Sequence, residues 1–404
     1  MKKIICYHEP AKLWSKENYH CYESHRNAAE QLKGYFERYG YPVFVCDAGN
    51  WKDKKTALEL LDRGDVYFSL GTNAAGLDLY TDDGEGIYEK YDVPHIVIMA
   101  DHPYLDSGNF FMNRFRNVRC NNLFVQIPNG MNDMKCLAFE ELKSKIKVGF
   151  LARWGLSIEE FDDEHTRDIE VLHTGRLYEN ASPIRVWNHM ELSESIKTIM
   201  NDVADYLECK AVSVYDGFEH ILSAYYMKDY IRGLYPYFRY MLLYIMKWRR
   251  IKLVDTLVKS GVHLTMCDNS WKSYKDAKKM TILGTQYKET LALYKRAKIL
   301  VADVAGFNDY THARILDAAR YGTAVISEYS SWMDKYFFTP GAMKGFHWDE
   351  VNELPSTIEH LLTNDDARIA MTKKTYNIIK ENFTVEQFVK NMVTRVDLYL
   401  LSQK

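Results

Sequence analysis

The stretch from Ala302 to Tyr336, reading ADVAGFNDYTHARILDAARYGTAVISEYSSWMDKY, constrains the fold more than any other part of the chain. The apolar run Ile299-Leu300-Val301 that leads into it predicts a buried parallel strand, followed by a Gly/Asn/Asp loop and a helix with acidic, His and Arg side chains near its start. Gly322 after Tyr321 stops that helix, and Thr323 to Ser327 reads as the next strand. A β-loop-α-loop-β unit of this kind builds an open α/β sheet, whose ligands bind at the carboxyl ends of the strands.

Asp309 and Asp317 lie eight positions apart, just over two helical turns, which brings both toward one side with His312 and Arg314 on the turn between. That mixture suits a nucleotide sugar. Its ribose hydroxyls want a carboxylate, its sugar hydroxyls want short polar or acidic partners, and its diphosphate wants a helix N-terminus with Arg or Lys. The same residues admit a plain structural reading, with Asp309 as a helix cap and Asp317 paired with Arg320 at the surface.

Length sets the domain count. A chain of 404 residues with 47% apolar side chains is expected to organise two cores. A net charge of -3 from 52 basic and 55 acidic residues gives no broad basic field, so neither nucleic acid nor an anionic membrane is an expected partner. The seven cysteines, Cys6, Cys21, Cys46, Cys120, Cys136, Cys209 and Cys267, form no C-x-x-C and no zinc-like pairing with His, and read as reduced core thiols of a cytoplasmic enzyme. The opening Met1 to Tyr7 is too short for a signal-peptide core, and the apolar stretch Tyr240 to Met246 falls well below the roughly twenty residues that span a bilayer.

Apolar periodicity predicts α/β organisation in both halves. The first has strands at Ile4 to Tyr7, Pro42 to Cys46, Val66 to Leu70, His95 to Met99 and Leu123 to Gln126, alternating with helices near Glu23 to Tyr39, Lys54 to Arg63 and Gly86 to Tyr91. Its first strand leads into His8-Glu9-Pro10 rather than a G-x-G-x-x-G turn, so a dinucleotide fingerprint is absent there. The second half has strands at Glu170 to Thr174, His263 to Cys267, Met280 to Ile282, Ile299 to Val304 and Ala324 to Glu328, with a helix at Ile251 to Ser260. Pro183 to Lys247 is almost strand-free, and Ile196, Ile199, Met200, Val203 and Leu207 recur at helical spacing, so it reads as a helical insertion. Its Tyr225, Tyr226, Tyr230, Tyr235, Tyr237 and Tyr240 are expected to pack between helices, with an acceptor or partner platform as the alternative.

The ordered motifs resemble the GT-B glycosyltransferases, specifically the branch of spore-maturation CgeB-like proteins. Glu289, His312, Arg314, Asp317, Ala318, Gly322, Glu328, Tyr329 and Ser330 stand at matching places, while Ala313 replaces the Glu usually found beside the Arg. Arg167 to Arg176 is similar to the strand that opens the C-terminal domain of that family, and Trp248-Arg249-Arg250-Ile251 through Trp271 to its following helix and strand. Val93 to Pro103 resembles an element of the N-terminal domain. The resemblance implies two Rossmann-like domains facing a central cleft: residues 1–165 with a terminal crossover helix at 385–404 on the acceptor side, and 166–384, carrying the insertion at about 185–247, on the nucleotide-sugar side.

Within that frame Asp101-His102-Pro103 follows a strand end, with His102 suited by pKa to act as general base and Asp101 to orient it or serve as base itself. The alternative is an Asp-capped turn with a surface His. His8, with Glu9, is the second candidate. On the donor side Gly175 allows close backbone approach, Arg176 meets diphosphate charge, Tyr287 lies by the base, and Asp309, His312, Arg314 and Asp317 hold sugar, phosphate and ribose. Asp82-Asp83-Gly84 and Asp162-Asp163-Glu164 read as solvated loop charges, so no metal or other cofactor is expected. The expected activity is transfer of a sugar from a UDP- or GDP-type donor to a glycan, protein or small-molecule acceptor. A sugar-nucleotide epimerase or phosphorylase, or a catalytically silent glycan-binding module, is the alternative.

Overall fold

The computed structural model describes residues 2–9, 19–72, 75–81, 83–99, 101–105, 110–120, 122–126, 130–139, 145–150, 155–157, 161, 167–177, 184–284 and 287–403. The chain divides into two compact units, Met1–Gly155 with Val385–Lys404, and Leu156–Thr384.

Unit 1 is one parallel sheet wrapped by helices. Its elements run β1 (Lys3–His8), α1 (Tyr19–Arg38), β2 (Val43–Asp47), α2 (Trp51–Asp62), β3 (Val66–Thr72), α3 (Ile87–Lys90), β4 (His95–Ile98), α4 (Phe110–Asn117), β5 (Leu123–Gln126), α5 (Gly130–Phe139) and β6 (Ile146–Phe150). The sheet order is β2-β1-β3-β4-β5-β6, every pair parallel. Strands buried on both faces are mostly apolar, as in the His-Ile-Val-Ile of β4, where all four residues are buried and His95 meets Ser69 Oγ at 2.8 Å. The strand order reverses between β1 and β3, which places the ligand crevice of such a sheet at their carboxyl ends, where His8 lies.

Unit 2 repeats the plan around a helical insertion. Its elements are β7 (Ile169–His173), α6 (Glu194–Cys209), α7 (Val214–Ala224), α8 (Ile231–Leu234), α9 (Phe238–Lys259), β8 (Leu264–Met266), β9 (Thr281–Ile282), α10 (Tyr287–Arg296), β10 (Ala297–Ala302), α11 (Ala313–Arg320), β11 (Ala324–Glu328), α12 (Ser331–Met333), β12 (Lys344–Phe346), α13 (Leu354–Thr363) and α14 (Asp365–Asn382). The order β12-β11-β10-β7-β8-β9 is again parallel and reverses between β7 and β10. A final helix, α15 (Val385–Ser402), belongs to unit 1, where Phe388, Val389, Met392 and Val396 pack with Leu32 and Phe36 of α1 and Phe68 of β3.

The insertion is helical, but its tyrosines do not all pack. Tyr235 is buried against Phe238, whereas Tyr225, Tyr230 and Tyr240 are exposed and Tyr226, at φ +57°, is 98% exposed. The helix expected at Ile251 to Ser260 is the second half of the 22-residue α9, because Phe238 to Trp248 continues the same helical ladder. Strands β6 and β12 and helices α4, α5, α13 and α14 add to the elements expected from the sequence. Of the six cysteines described, Cys6, Cys46, Cys136 and Cys267 are buried and Cys209 is exposed; all six are free thiols. Among the described residues no helix is long and apolar enough to cross a membrane.

Candidate functional site

In unit 2 the chemistry gathers at the reversal point of the sheet. β7 ends at His173, and Gly175-Arg176 follow; a Cβ at Gly175 would come within 2.5 Å of His173 Nε2 and 3.1 Å of Arg250 Nε, so only glycine fits that turn. The turn is fastened by two carbonyls: Gly175 O accepts from Trp271 Nε1 at 2.6 Å, and Arg176 O from Arg250 Nη1 at 2.6 Å. The Arg176 side chain is exposed.

One strand over, β10 delivers Asp303 to the same place. Arg250 of α9 places Nε 3.1 Å from each Asp303 carboxylate oxygen and Nη2 2.9 Å from Oδ2, while Arg314 Nη1 lies 3.6 Å from Oδ1. Burial alone raises the Asp303 pKa, but Arg250 and Arg314 hold its carboxyl well below the usual carboxylate range. Asp303 Oδ2 also accepts from the amide of Ala305, which stands at φ +53° and leads into the loop before α11. Burial, then Arg314, lowers the His312 pKa far below its ordinary value, so the ring is neutral. As a neutral ring it accepts the amide of Arg314 at 3.3 Å and the Arg314 Nε–H at 3.0 Å through Nδ1.

The next strand supplies a second carboxylate. Glu328 at the end of β11 accepts from Arg249 Nη1 (2.6 Å), the Val304 amide (3.1 Å), Asn308 Nδ2 (2.9 Å) and Trp348 Nε1 (2.9 Å). Two adjacent arginines of α9 therefore tie down the loop between β10 and α11 through acids on neighbouring strands.

Two sequence expectations change here. The helix begins at Ala313, with His312 as its N-cap, so Asp309 sits in the preceding loop and does not share a helix face with Asp317; a His ring, not an Asp, caps it. Asp317 is buried and pairs with Arg320 Nη2 at 3.2 Å, inside the unit rather than on its surface. Gly322 does end the helix, at φ +75° after Arg320 and Tyr321. The side chain of Tyr287 and residues 82, 162–164 and 285–286 lie outside the described residues.

In unit 1, Asp101 is exposed and His102 fully buried. The His102 Nδ1–H donates to Asp133 Oδ1 of α5 at 3.1 Å, and the ring stacks on Tyr104 with centroids 5.1 Å apart. This overturns the picture of two titratable groups both pointing out of the sheet. His8 is buried at the end of β1, its Nδ1 3.0 Å from Glu9 O. Glu9 is ion-paired with Arg114 of α4, and Arg114 Nε lies 3.2 Å from Asp78. Burial raises the Glu9 pKa while Arg114 opposes the rise. His25 of α1 is lowered by burial, with Asp101 acting against this and His8 adding to it, so these three groups share one electrostatic neighbourhood.

Asp133, Arg114, His25, Asp303 and Arg250 carried no sequence signal strong enough to select them. Arg250 and Asp303 fell inside family-like stretches, but neither stood at one of the matching places. Among the described residues no group of three or more His, Cys, Asp or Glu side chains is arranged to hold a metal ion.

Residues 249–394 match the family described as "Glycosyl transferase-like". No curated protein sequence shows significant similarity to the chain. Solved structures share its fold. The sucrose-phosphate synthase of Thermosynechococcus elongatus superposes with a TM-score of 0.54 at 10% identity, covering 100% of both chains. An alpha-glucosyltransferase in complex with UDP-glucose and DNA containing an abasic site gives 0.53 at 9% identity over 98% of this chain and 100% of that one. HepE of Anabaena, in complex with UDP and glucose, gives 0.51 at 12% identity over 98% and 100%. The two parallel-sheet units thus form the GT-B fold.

Proposed function

We propose that this chain, a glycosyltransferase of the GT-B fold, moves a sugar from a nucleoside-diphosphate donor held on unit 2 to a hydroxyl of a glycan, protein or small-molecule acceptor bound on unit 1. One observation carries the reading: within the region matching the family, Arg250, Asp303, Arg314 and the start of α11 gather at the carboxyl end of β10, and Arg250 joins them to the backbone carbonyl of Arg176 after β7. That is where an open sheet binds its ligand.

Each residue then has a chemical task. As the sugar–oxygen bond breaks, negative charge builds on the leaving diphosphate, and Arg176 with Arg314 and the helix N-terminus stabilises it, so the chain's own cations supply the charge and no metal takes part. Asp317 accepts from the ribose, and Asp309 and His312 face the sugar hydroxyls. A uridine donor is favoured because two fold neighbours are complexes with UDP or UDP-glucose. On unit 1 the exposed Asp101 is the acceptor-side carboxylate, taking the hydroxyl proton in an inverting transfer or holding the acceptor in a retaining one; His102 and His8 support it from the interior. Binding by Ala313 is not part of the scheme, since its methyl offers no polar contact.

A thermal-shift and calorimetric series with UDP-, GDP-, CMP- and dTDP-sugars, each with EDTA and with Mg²⁺, tests this reading. Stabilisation by one nucleotide class, with turnover unchanged by EDTA, is the expected result. Absence of nucleotide binding refutes the donor assignment, and strict Mg²⁺ or Mn²⁺ dependence refutes the metal-free scheme.

A further inference from the structure

We propose that Asp303 sets how tightly the donor side of unit 2 grips a diphosphate, by cancelling one of the two guanidinium charges gathered there. The inference rests on the donor reading above. Asp303 would touch no substrate atom itself and is therefore a positioning residue, acting through Arg250 and Arg314.

The geometry gives it that place. Asp303 is buried between Arg250, in contact at 2.9 to 3.1 Å, and Arg314 at 3.6 Å. With one carboxylate between two guanidiniums the group carries a formal charge of about one positive unit, and in a dry site each such charge counts far more than in water. The same carboxylate ties together the parts that would approach an anion. Through Arg250 it reaches the carbonyl of Arg176, and through the Ala305 amide it fixes the left-handed turn that leads to the His312 cap and Arg314.

A transferase must bind its diphosphate as a donor and then let it go as a product. Two uncompensated arginines beside the exposed Arg176 would favour the bound product, so an acid at this position weakens product binding without removing the cations that stabilise the leaving group. Glu328 cannot do this. Its carboxylate is taken up by Arg249, Asn308, Trp348 and the Val304 amide.

Calorimetric titration of the full-length protein with sodium pyrophosphate and with UDP, at low and at high salt, compares wild type with Asp303→Asn. The variant is expected to bind pyrophosphate about tenfold tighter at low salt, with a steeper salt dependence, as follows from removing one negative charge within a few ångströms of Arg314. Its UDP affinity should rise in parallel, and its multiple-turnover rate should fall more than its single-turnover rate because product leaves slowly. Equal or weaker pyrophosphate affinity in the folded variant overturns the proposal, as does failure of both proteins to bind pyrophosphate. Should Asp303→Asn not fold, the double variant Arg250→Met with Asp303→Asn removes one charge of each sign. It is expected to bind pyrophosphate within about threefold of wild type, the net charge being unchanged, and a larger departure in either direction overturns the idea. If wild type binds pyrophosphate but no nucleoside diphosphate, the donor reading fails while the comparison of variants with pyrophosphate still decides the role of Asp303.

Discussion

The Nδ1–H of His102 donates to Asp133 Oδ1 at 3.1 Å with both side chains fully buried, so the histidine of the Asp101-His102 pair is fixed in the interior of unit 1 while its neighbour faces solvent. Sequence proximity made these two residues look interchangeable as bases. Burial separates their roles.

Substitution at the two positions should therefore have different signatures. Asp101→Asn is expected to leave the thermal midpoint and nucleotide affinity unchanged and to cut transfer about 100-fold, the scale of a lost acid/base or positioning group. His102→Ala and Asp133→Ala should instead lower stability by about 1 to 3 kcal/mol, because each leaves a buried polar partner unsatisfied. Full activity in Asp101→Asn, measured beside its unfolding curve, would remove Asp101 from the mechanism.

The buried pair of Arg249 and Glu328 offers a test of how the loop before α11 is held. Arg249 also donates through Nη2 to the carbonyls of Leu207 at 2.8 Å and Lys210 at 2.7 Å, so one guanidinium joins α9, the end of α6 and β11. Breaking a buried pair by removing one partner typically costs about 3 to 5 kcal/mol, whereas replacing both partners with neutral groups costs much less. Urea unfolding should accordingly rank Glu328→Gln as less stable than the double variant Arg249→Met with Glu328→Gln. The opposite ranking would mean that the other donors to Glu328 dominate.

What was legible in the sequence was whatever depended on local pattern. The continuous apolar runs of β4, β10 and β11 announce buried parallel strands, and Gly322 announces the end of α11, because strand burial and left-handed helix stops each depend on a few adjacent residues. The helix start was misread because an Asp is the commoner cap, and nothing local reveals that His312 takes that place with a neutral ring. The clamps were illegible for a different reason: Arg250 meets Asp303 across 53 positions and His102 meets Asp133 across 31, contacts set by the packing of elements on the sheet rather than by spacing along the chain. The exposed Tyr225, Tyr226 and Tyr230 follow the same logic in reverse, since residue type predicts packing but the short connection after α7 leaves them outside any core.

A pH dependence follows from His173. Burial lowers its pKa to about 4, against an unfolded value of 6.5, so the folded state binds fewer protons than the unfolded chain in that interval. The sign is then fixed: the stabilisation is fully present above about pH 6.5 and is lost as pH falls through about 4. A shift of this size corresponds to on the order of 3 kcal/mol. His312, lowered in the same direction, adds to the trend. Unfolding free energy measured from pH 7 down to pH 4 should decline steeply in wild type and less steeply in His173→Gln; equal slopes would mean that His173 takes up protons alike in the folded and unfolded states.

Asp317 is where the structural and the ligand-binding readings compete most directly, because its carboxylate already has Arg320 Nη2 at 3.2 Å while Arg320 Nη1 donates to the carbonyl of Ser157 at 3.1 Å. If the pair is purely architectural, Asp317→Ala and Arg320→Ala should lose similar stability and neither should affect nucleotide binding. If Asp317 also accepts from a ribose hydroxyl, Asp317→Ala should weaken nucleotide affinity by about 1 to 3 kcal/mol, the cost of an unpaired buried partner, whereas Arg320→Ala should change mainly the unfolding free energy. Calorimetry with the nucleotide that stabilises wild type, run beside urea unfolding of both variants, separates the two. Parallel behaviour of the variants in both measurements would take Asp317 out of the donor site and leave Arg176 and Arg314 as its recognition groups.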